Sequence, residues 1–238
     1  MSTESWAYPT TSTGEKIGQH NIVKFTRNVK EITDLVEAAG YTREDDNSVY
    51  MKEGKPLKLV FTIAGESKDH PAYDMFAETA EWLNEECGFD ITVATDVQAL
   101  SKLANGDLQV WAAAWSSSID PDLYQVYHKD SSATSVKNWG YDVIFADMTD
   151  KFEYEREIIE ELSELIEEAR ETINKTERKR IYAEALDLIM ELCVELPTYQ
   201  RNDMTVYNKK LINRNTINAT NASSNSGVFD RIWEVNYN

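Results

Sequence analysis

Two tryptophans four residues apart, Trp111 and Trp115, lead into Ser116-Ser117-Ser118 and then Asp120-Pro121-Asp122. The stretch from Gly106 reads as a small-residue strand through Val110 to Trp115 and ends in a polar turn. Residues four apart on a strand share a face, and an indole offers a flat apolar surface for stacking. Hydroxyls and carboxylates just past the carboxyl end of a strand stand where open α/β sheets receive ligands. The chemistry is that of binding: an aromatic wall and a few placed polar groups. We read Trp115, with the serines after it, as ligand-facing and Trp111 as core. Asp120 and Asp122 admit two roles, capping a short helix at Leu123-Tyr124 or forming the paired carboxylates of a hydrolase. No nucleophile or base pattern accompanies them, so capping is the preferred reading.

Other reactive side chains stand more alone. His70 and His128 lie in polar stretches and read as surface residues, since neither belongs to a His-Glu-x-x-His or Ser-His-Asp arrangement. Lys137-Asn138-Trp139-Gly140-Tyr141 carries aromatics in a turn context, so Trp139 is either a second ligand contact or part of a packed surface loop. Cys87 and Cys193 sit beside apolar neighbours in helical patterns and read as buried free thiols. Nothing has zinc spacing, and no cofactor motif is expected. The glutamates between Glu153 and Glu168 read as the solvated face of a helix rather than a metal site.

The elements that must position these residues follow from periodicity. The chain has 238 residues, 42% of them hydrophobic, enough for one large or two small domains with a real core. Its net charge of −18 argues against nucleic acid or an anionic membrane as partner. No apolar run approaches the ~20 residues that span a bilayer. Residues 1–20 read as an irregular leader, without the basic and apolar segments of an export signal. A helix is expected over 28–39, stopped by Gly40, and a strand over Leu57–Ile63. Pro71 opens a second helix with Asp69 as its cap, Gly88 ends it, and Phe89–Thr95 is a second strand. A short helix over Val97–Ala104 precedes the tryptophan strand. Strand, helix, strand, helix, strand predicts a parallel α/β unit with crossover helices. Two amphipathic helices follow between Phe152 and Glu195, the second capped by Thr176 and ended by Pro197. Two weak strands, Met204–Tyr207 and Ile232–Val235, close the chain.

Taken in order, these pieces resemble the extracellular solute-binding proteins of peptide-type ABC importers, family 5, the oligopeptide/dipeptide-binding class. Leu35-Val36-Glu37-Ala38-Ala39-Gly40-Tyr41 is similar to that family's helix end, and Gly54 with Leu57–Ile63 to its next strand. Trp82–Val93 resembles the helix-glycine-strand step, Gly106–Trp115 with Asp120-Pro121-Asp122 the tryptophan strand and its turn, and Asn138–Tyr141 a later turn. Arg180-Ile181-Tyr182 through Leu196-Pro197 is similar to the helix that leads to the hinge. The resemblance implies one lobe, the carboxyl-terminal one, of a periplasmic-binding-protein-like type II fold, with a mixed sheet and flanking helices. It divides the chain into a leader at 1–27, an α/β lobe at 28–200 and a tail at 201–238 that would cross the hinge. It implies a non-enzymatic, extracellular, lipid-anchored or periplasmic protein. Such a protein binds oligopeptides or a related solute between two lobes and delivers them to a membrane permease. Partners would then be the solute, the amino-terminal lobe and the permease. Carried over by position, Trp115, Ser116 and Ser117 line the site, and Tyr199–Arg201 face the cleft near the hinge. Arg201 is either a carboxylate partner or an ordinary surface arginine. Where many members place an aspartate for the ligand's amino terminus this chain has Ser118, with the following turn one residue shorter. Asp120 is the substitute the turn could offer. A stand-alone interaction domain and, behind it, a carboxylate hydrolase are the other classes.

Overall fold

The computed structural model describes residues 6–8, 27–46, 48–113, 120–196, 198, 205–217 and 232–238. Trp115, Ser116, Ser117, Ser118, Pro197, Tyr199, Arg201 and the first residue of the expected 204–207 strand lie outside them.

The expected alternation of strands and helices is present. α1 (Val29–Ala38) starts at Asn28, whose side chain accepts the Glu31 N–H, and stops at Gly40. A hairpin, β1 (Met51–Lys52) with β2 (Lys55–Pro56), leads into β3 (Lys58–Ala64). α2 (Pro71–Cys87), β4 (Asp90–Asp96), α3 (Ala99–Asn105) and β5 (Val110–Trp111) follow. β3 pairs in parallel with β4 on one side and β5 on the other, giving the order β4-β3-β5. The helices between successive strands are the crossovers a parallel sheet requires. Asn84 of α2 satisfies both the N–H and the C=O of Ile91, at 2.7 and 2.9 Å, on the outer edge of β4. That edge is thereby covered rather than left as a template for another strand.

Two caps differ from the sequence expectation. His70, not Asp69, caps α2: its Nδ1 accepts the Ala72 N–H at 3.1 Å. Pro71 sets the backbone so that the residue just before it occupies the cap position, which leaves Asp69 one place too early.

After the sheet, the chain makes three short helices, α4 (Tyr124–Tyr127), α5 (Thr134–Asn138) and α6 (Tyr141–Ala146). Two long ones follow, α7 (Glu153–Glu171) and α8 (Lys175–Leu192). Asn174, not Thr176, caps α8, accepting the N–H groups of Thr176 and Glu177. α8 ends at Cys193, which takes a left-handed conformation with φ 51°. The helix therefore stops short of Pro197, and Cys193 is exposed while Cys87 is buried. A left-handed cap turns the backbone away from the packed face, which carries the Cys193 thiol out with it.

Two cores result. Phe61, Ile63 and Ile91 of the sheet meet Phe76 and Ala80 of α2. Leu162, Ile166 and Ala169 of α7 meet Ile181, Ala185 and Ile189 of α8, as the two stripes predict. Ala7 is fully buried in this second core, and Trp6 packs on it beneath Lys175 and Arg178. The tail closes on itself. Ile212 bridges Tyr237 antiparallel, and Asn213 N–H donates to Asn236 C=O at 2.9 Å. Residues 232–234 form a single 3-10 turn rather than the expected strand, and residues 205–207 carry no strand.

Candidate functional site

The carboxyl end of β5 opens onto a cleft of about 790 Å³. Leu103 of α3 forms one side, Trp111 and Ala113 the strand end, Tyr124 and Gln125 of α4 the opposite side, and residues 130–134 the rim. A volume of this size suits a small organic ligand, for which pockets run to roughly 300–1,000 Å³. Trp111 lines this space half-buried instead of sitting in the core, a correction to the sequence reading. β5 ends at Trp111, which places the residue at the border of the space beyond the strand.

Hydrogen bonds hold the rim. Ser131 N–H donates to His128 C=O at 3.0 Å, and Ser131 Oγ donates to Gln125 C=O at 2.7 Å. The same Oγ accepts the Ala133 N–H. His128 is the fixed point beneath. It is 4% exposed, not a surface residue, and its ring stacks on Tyr124 at 4.2 Å. Its Nδ1 accepts the Asp130 N–H at 3.0 Å, which assigns the proton to Nε2, 3.5 Å from Glu167 Oε1. Burial pushes the His128 pKa down from its ordinary value, and Lys129 and Arg170 add to this against the opposing pull of Asp130 and Glu167. Sequence reasoning missed this because only the tertiary packing of α4 on α7 buries a residue that follows a four-residue helix.

Asp120 and Asp122 are both engaged. Arg178 grips Asp120 with both terminal nitrogens, at 2.9 and 3.1 Å, and also donates to Pro121 C=O. Tyr182 donates its hydroxyl to the same carbonyl. Asp122 accepts the Tyr124 N–H at 3.0 Å, starting α4, and lies 3.5 Å from Arg170 Nε. The Asp-Pro-Asp turn is thus fastened to α7 and α8, and neither aspartate is the expected helix cap: Leu123 occupies the cap position of α4, Asp122 accepts a backbone N–H from one place earlier, and Asp120 is turned to Arg178. Trp139 stacks on Tyr127 at 5.2 Å and packs beside Tyr141 and Val136; it is not among the described residues that line the cleft.

A second, shallower groove of about 410 Å³ runs along α7 between His128, Lys129 and five glutamates. Among the described residues no group of three His, Cys, Asp or Glu is arranged to hold a metal ion. Nor is any described helix long and apolar enough to cross a membrane.

This arrangement of sheet and helices has solved counterparts. The oligopeptide-binding protein AppA from Bacillus subtilis, in complex with a nonapeptide, is 19% identical with a TM-score of 0.60, over 81% of this chain and 34% of that one. NikZ from Campylobacter jejuni, in complex with Ni(L-His), is 18% identical with a TM-score of 0.54, over 74% and 33%. NikA from Brucella suis, in complex with Fe(III)-EDTA, is 16% identical with a TM-score of 0.51, over 68% and 30%. The chain has the fold of part of these solute-binding proteins and spans about a third of their length. No family model and no curated protein matches the sequence.

Proposed function

We propose that this chain is a lobe of an extracellular solute-binding protein of an ABC importer, and that its solute is an oligopeptide or a related small molecule. The observation that carries this reading is the cleft at the carboxyl end of β5, walled by Trp111 and Tyr124, in a fold shared with peptide- and chelate-bound neighbours. Trp115 and Ser116–Ser118 follow that strand in sequence and Tyr199 and Arg201 follow α8, so they are the residues proposed to complete the site with an amino-terminal lobe. Closure of two lobes on a solute commits it for delivery to a permease. The engagement of Asp120 and Asp122 by Arg178 and Arg170 supports binding over hydrolysis, because a paired-carboxylate mechanism needs one group poised to protonate a leaving oxygen. Asp120 enters this reading as the anchor of the site's turn.

The test is a thermal-shift screen of the chain joined to a partner lobe, against peptides, sugars, amino acids and metal chelates. Stabilisation by peptides, weakened by Trp115→Ala, is the expected result. A hit confined to chelates, the class held by two of the neighbours, would replace the solute and keep the transport role. Silence across every class would overturn the binding reading.

A further inference from the structure

The two ring nitrogens of His128 serve two different surfaces. Nδ1 accepts the Asp130 N–H at 3.0 Å, and residues 130–134 form the rim of the cleft. Nε2 faces Glu167 Oε1 at 3.5 Å, and Glu167 lines the groove along α7. The ring is 4% exposed and held in place: Tyr124 stacks on it at 4.2 Å, and Tyr124 in turn lies under the Arg170 guanidinium at 4.4 Å. The chain beside it is fastened too. Lys129 N–H donates to Ser163 Oγ at 3.2 Å, and Ser131 N–H to His128 C=O at 3.0 Å.

A neutral imidazole accepts at one nitrogen and donates at the other, whereas an imidazolium donates at both. On protonation, Nδ1 presents an N–H where the Asp130 N–H had found a lone pair, and that bond is lost. An acceptor for the new proton stands on the same residue. Asp130 Oδ2 is 4.0 Å from Nδ1, against about 2.7–2.9 Å in a charge-assisted bond. The Asp130 side chain is 72% exposed and has room to close that gap, which swings the carboxylate in and the peptide N–H away. The surroundings set the direction. Burial opposes the charged ring most, joined by Lys129 and by Arg170 of α7, while Asp130 and Glu167 of α7 favour it. Glu160, Glu164, Glu168 and Glu171 line the same groove. The neutral ring therefore prevails near neutrality, and the charged ring forms in acid.

We propose that His128 is a proton-operated latch on the rim of the cleft: the neutral ring holds the Asp130 N–H, and the charged ring releases it and takes the Asp130 carboxylate instead. The rim has one backbone arrangement near neutrality and a looser one in acid. The latch is a property of the rim itself. Its consequence, weaker solute binding as pH falls, rests on the cleft being the solute site.

The experiment is a ¹⁵N NMR pH titration of the 238-residue chain from about pH 7.5 to about pH 5, with His128→Gln as the reference. It reads the His128 ring nitrogens together with the amides of Asp130, Ser131 and Ala133. The neutral ring carries its proton on Nε2, and the three amides shift with the ring at one midpoint below pH 6.5 while far-UV circular dichroism stays constant. These wild-type signals decide the matter even where the variant does not fold. In His128→Gln the amides hold still, and in Asp130→Asn the ring's midpoint falls because the charged form has lost its acceptor. A neutral ring protonated on Nδ1, amides that ignore the ring's midpoint, amide shifts that persist in His128→Gln, or circular dichroism lost at that midpoint each overturns the latch. Trialanine, whose termini titrate outside about pH 5–7, reads the consequence at the two ends of the range. Binding at least about three-fold weaker at the acid end, in the wild type and not in His128→Gln, ties the latch to the solute. Equal affinity at both ends overturns that consequence. If trialanine moves nothing at either end while the amides follow the ring, the peptide reading fails and the latch holds.

Discussion

His128 is 4% exposed between Asp130 and Glu167, with Lys129 and Arg170 also facing it, and the balance holds it neutral in the native state. The unfolded chain takes up the proton at the ordinary value of 6.5. Stability from this residue is therefore intact above that pH and is lost as pH falls through the lowered native pKa. Urea unfolding of the wild-type chain should weaken more steeply on acidification below about pH 6.5 than that of His128→Gln, whose slope reports the remaining titratable groups. An unchanged slope would mean that His128 titrates as freely in the fold as out of it. Arg178 tests the neighbouring turn. Arg178→Ala removes the bidentate grip on Asp120 and the bond to Pro121 C=O, and should cost about 1–3 kcal/mol in the same assay. The turn itself is legible in the sequence, but the arginines that hold its aspartates are not: Arg178 is 58 residues from Asp120.

At the scale of elements, glycine positions separate strain from crowding. Gly88 ends α2 with φ 71°, and a Cβ there would meet the Ser48 carbonyl at 2.9 Å. Gly106 ends α3 with φ 78°, with nothing within 4 Å of the same point. Gly106→Ala should cost about 1–2 kcal/mol, the left-handed penalty alone, and Gly88→Ala clearly more, because backbone must move as well. Equal losses in thermal unfolding would refute the close approach of the 48–50 strand entry to α2. The α7–α8 seam offers a second contrast. Leu162→Ala should lose about 2–5 kcal/mol, whereas Ile173→Ala, in the link between the helices at 96% exposure, should stay within about 0.5 kcal/mol. Both stripes of this seam are written in the sequence at helical spacing, since a helix buries one side and repeats every 3.6 residues. Short elements leave no such record. α4, α5 and α6 run four to six residues, too few for a period, and exist because α7 gives them a surface to pack on.

For the whole molecule, the open cleft sets the expectation for affinity. On the proposed reading, part of its wall is left to solvent, and a solute gains only the contacts that this chain supplies. The isolated chain should bind peptides in the millimolar range, and joining it to a partner lobe should tighten binding by at least about a hundred-fold, read by calorimetry. Micromolar binding by the chain alone would mean that the site is complete without a second lobe. The alternation of strands and helices, the parallel order of the sheet and the paired amphipathic helices were determined by the sequence itself, because each rests on a local periodicity or on the geometry of crossover connections. Trp111 in the cleft, His128 buried, Trp139 stacked on Tyr127 and Ala7 in the second core were decided only by tertiary structure. Those properties depend on which distant element covers a residue or supplies its counter-charge, and no spacing along the chain encodes that.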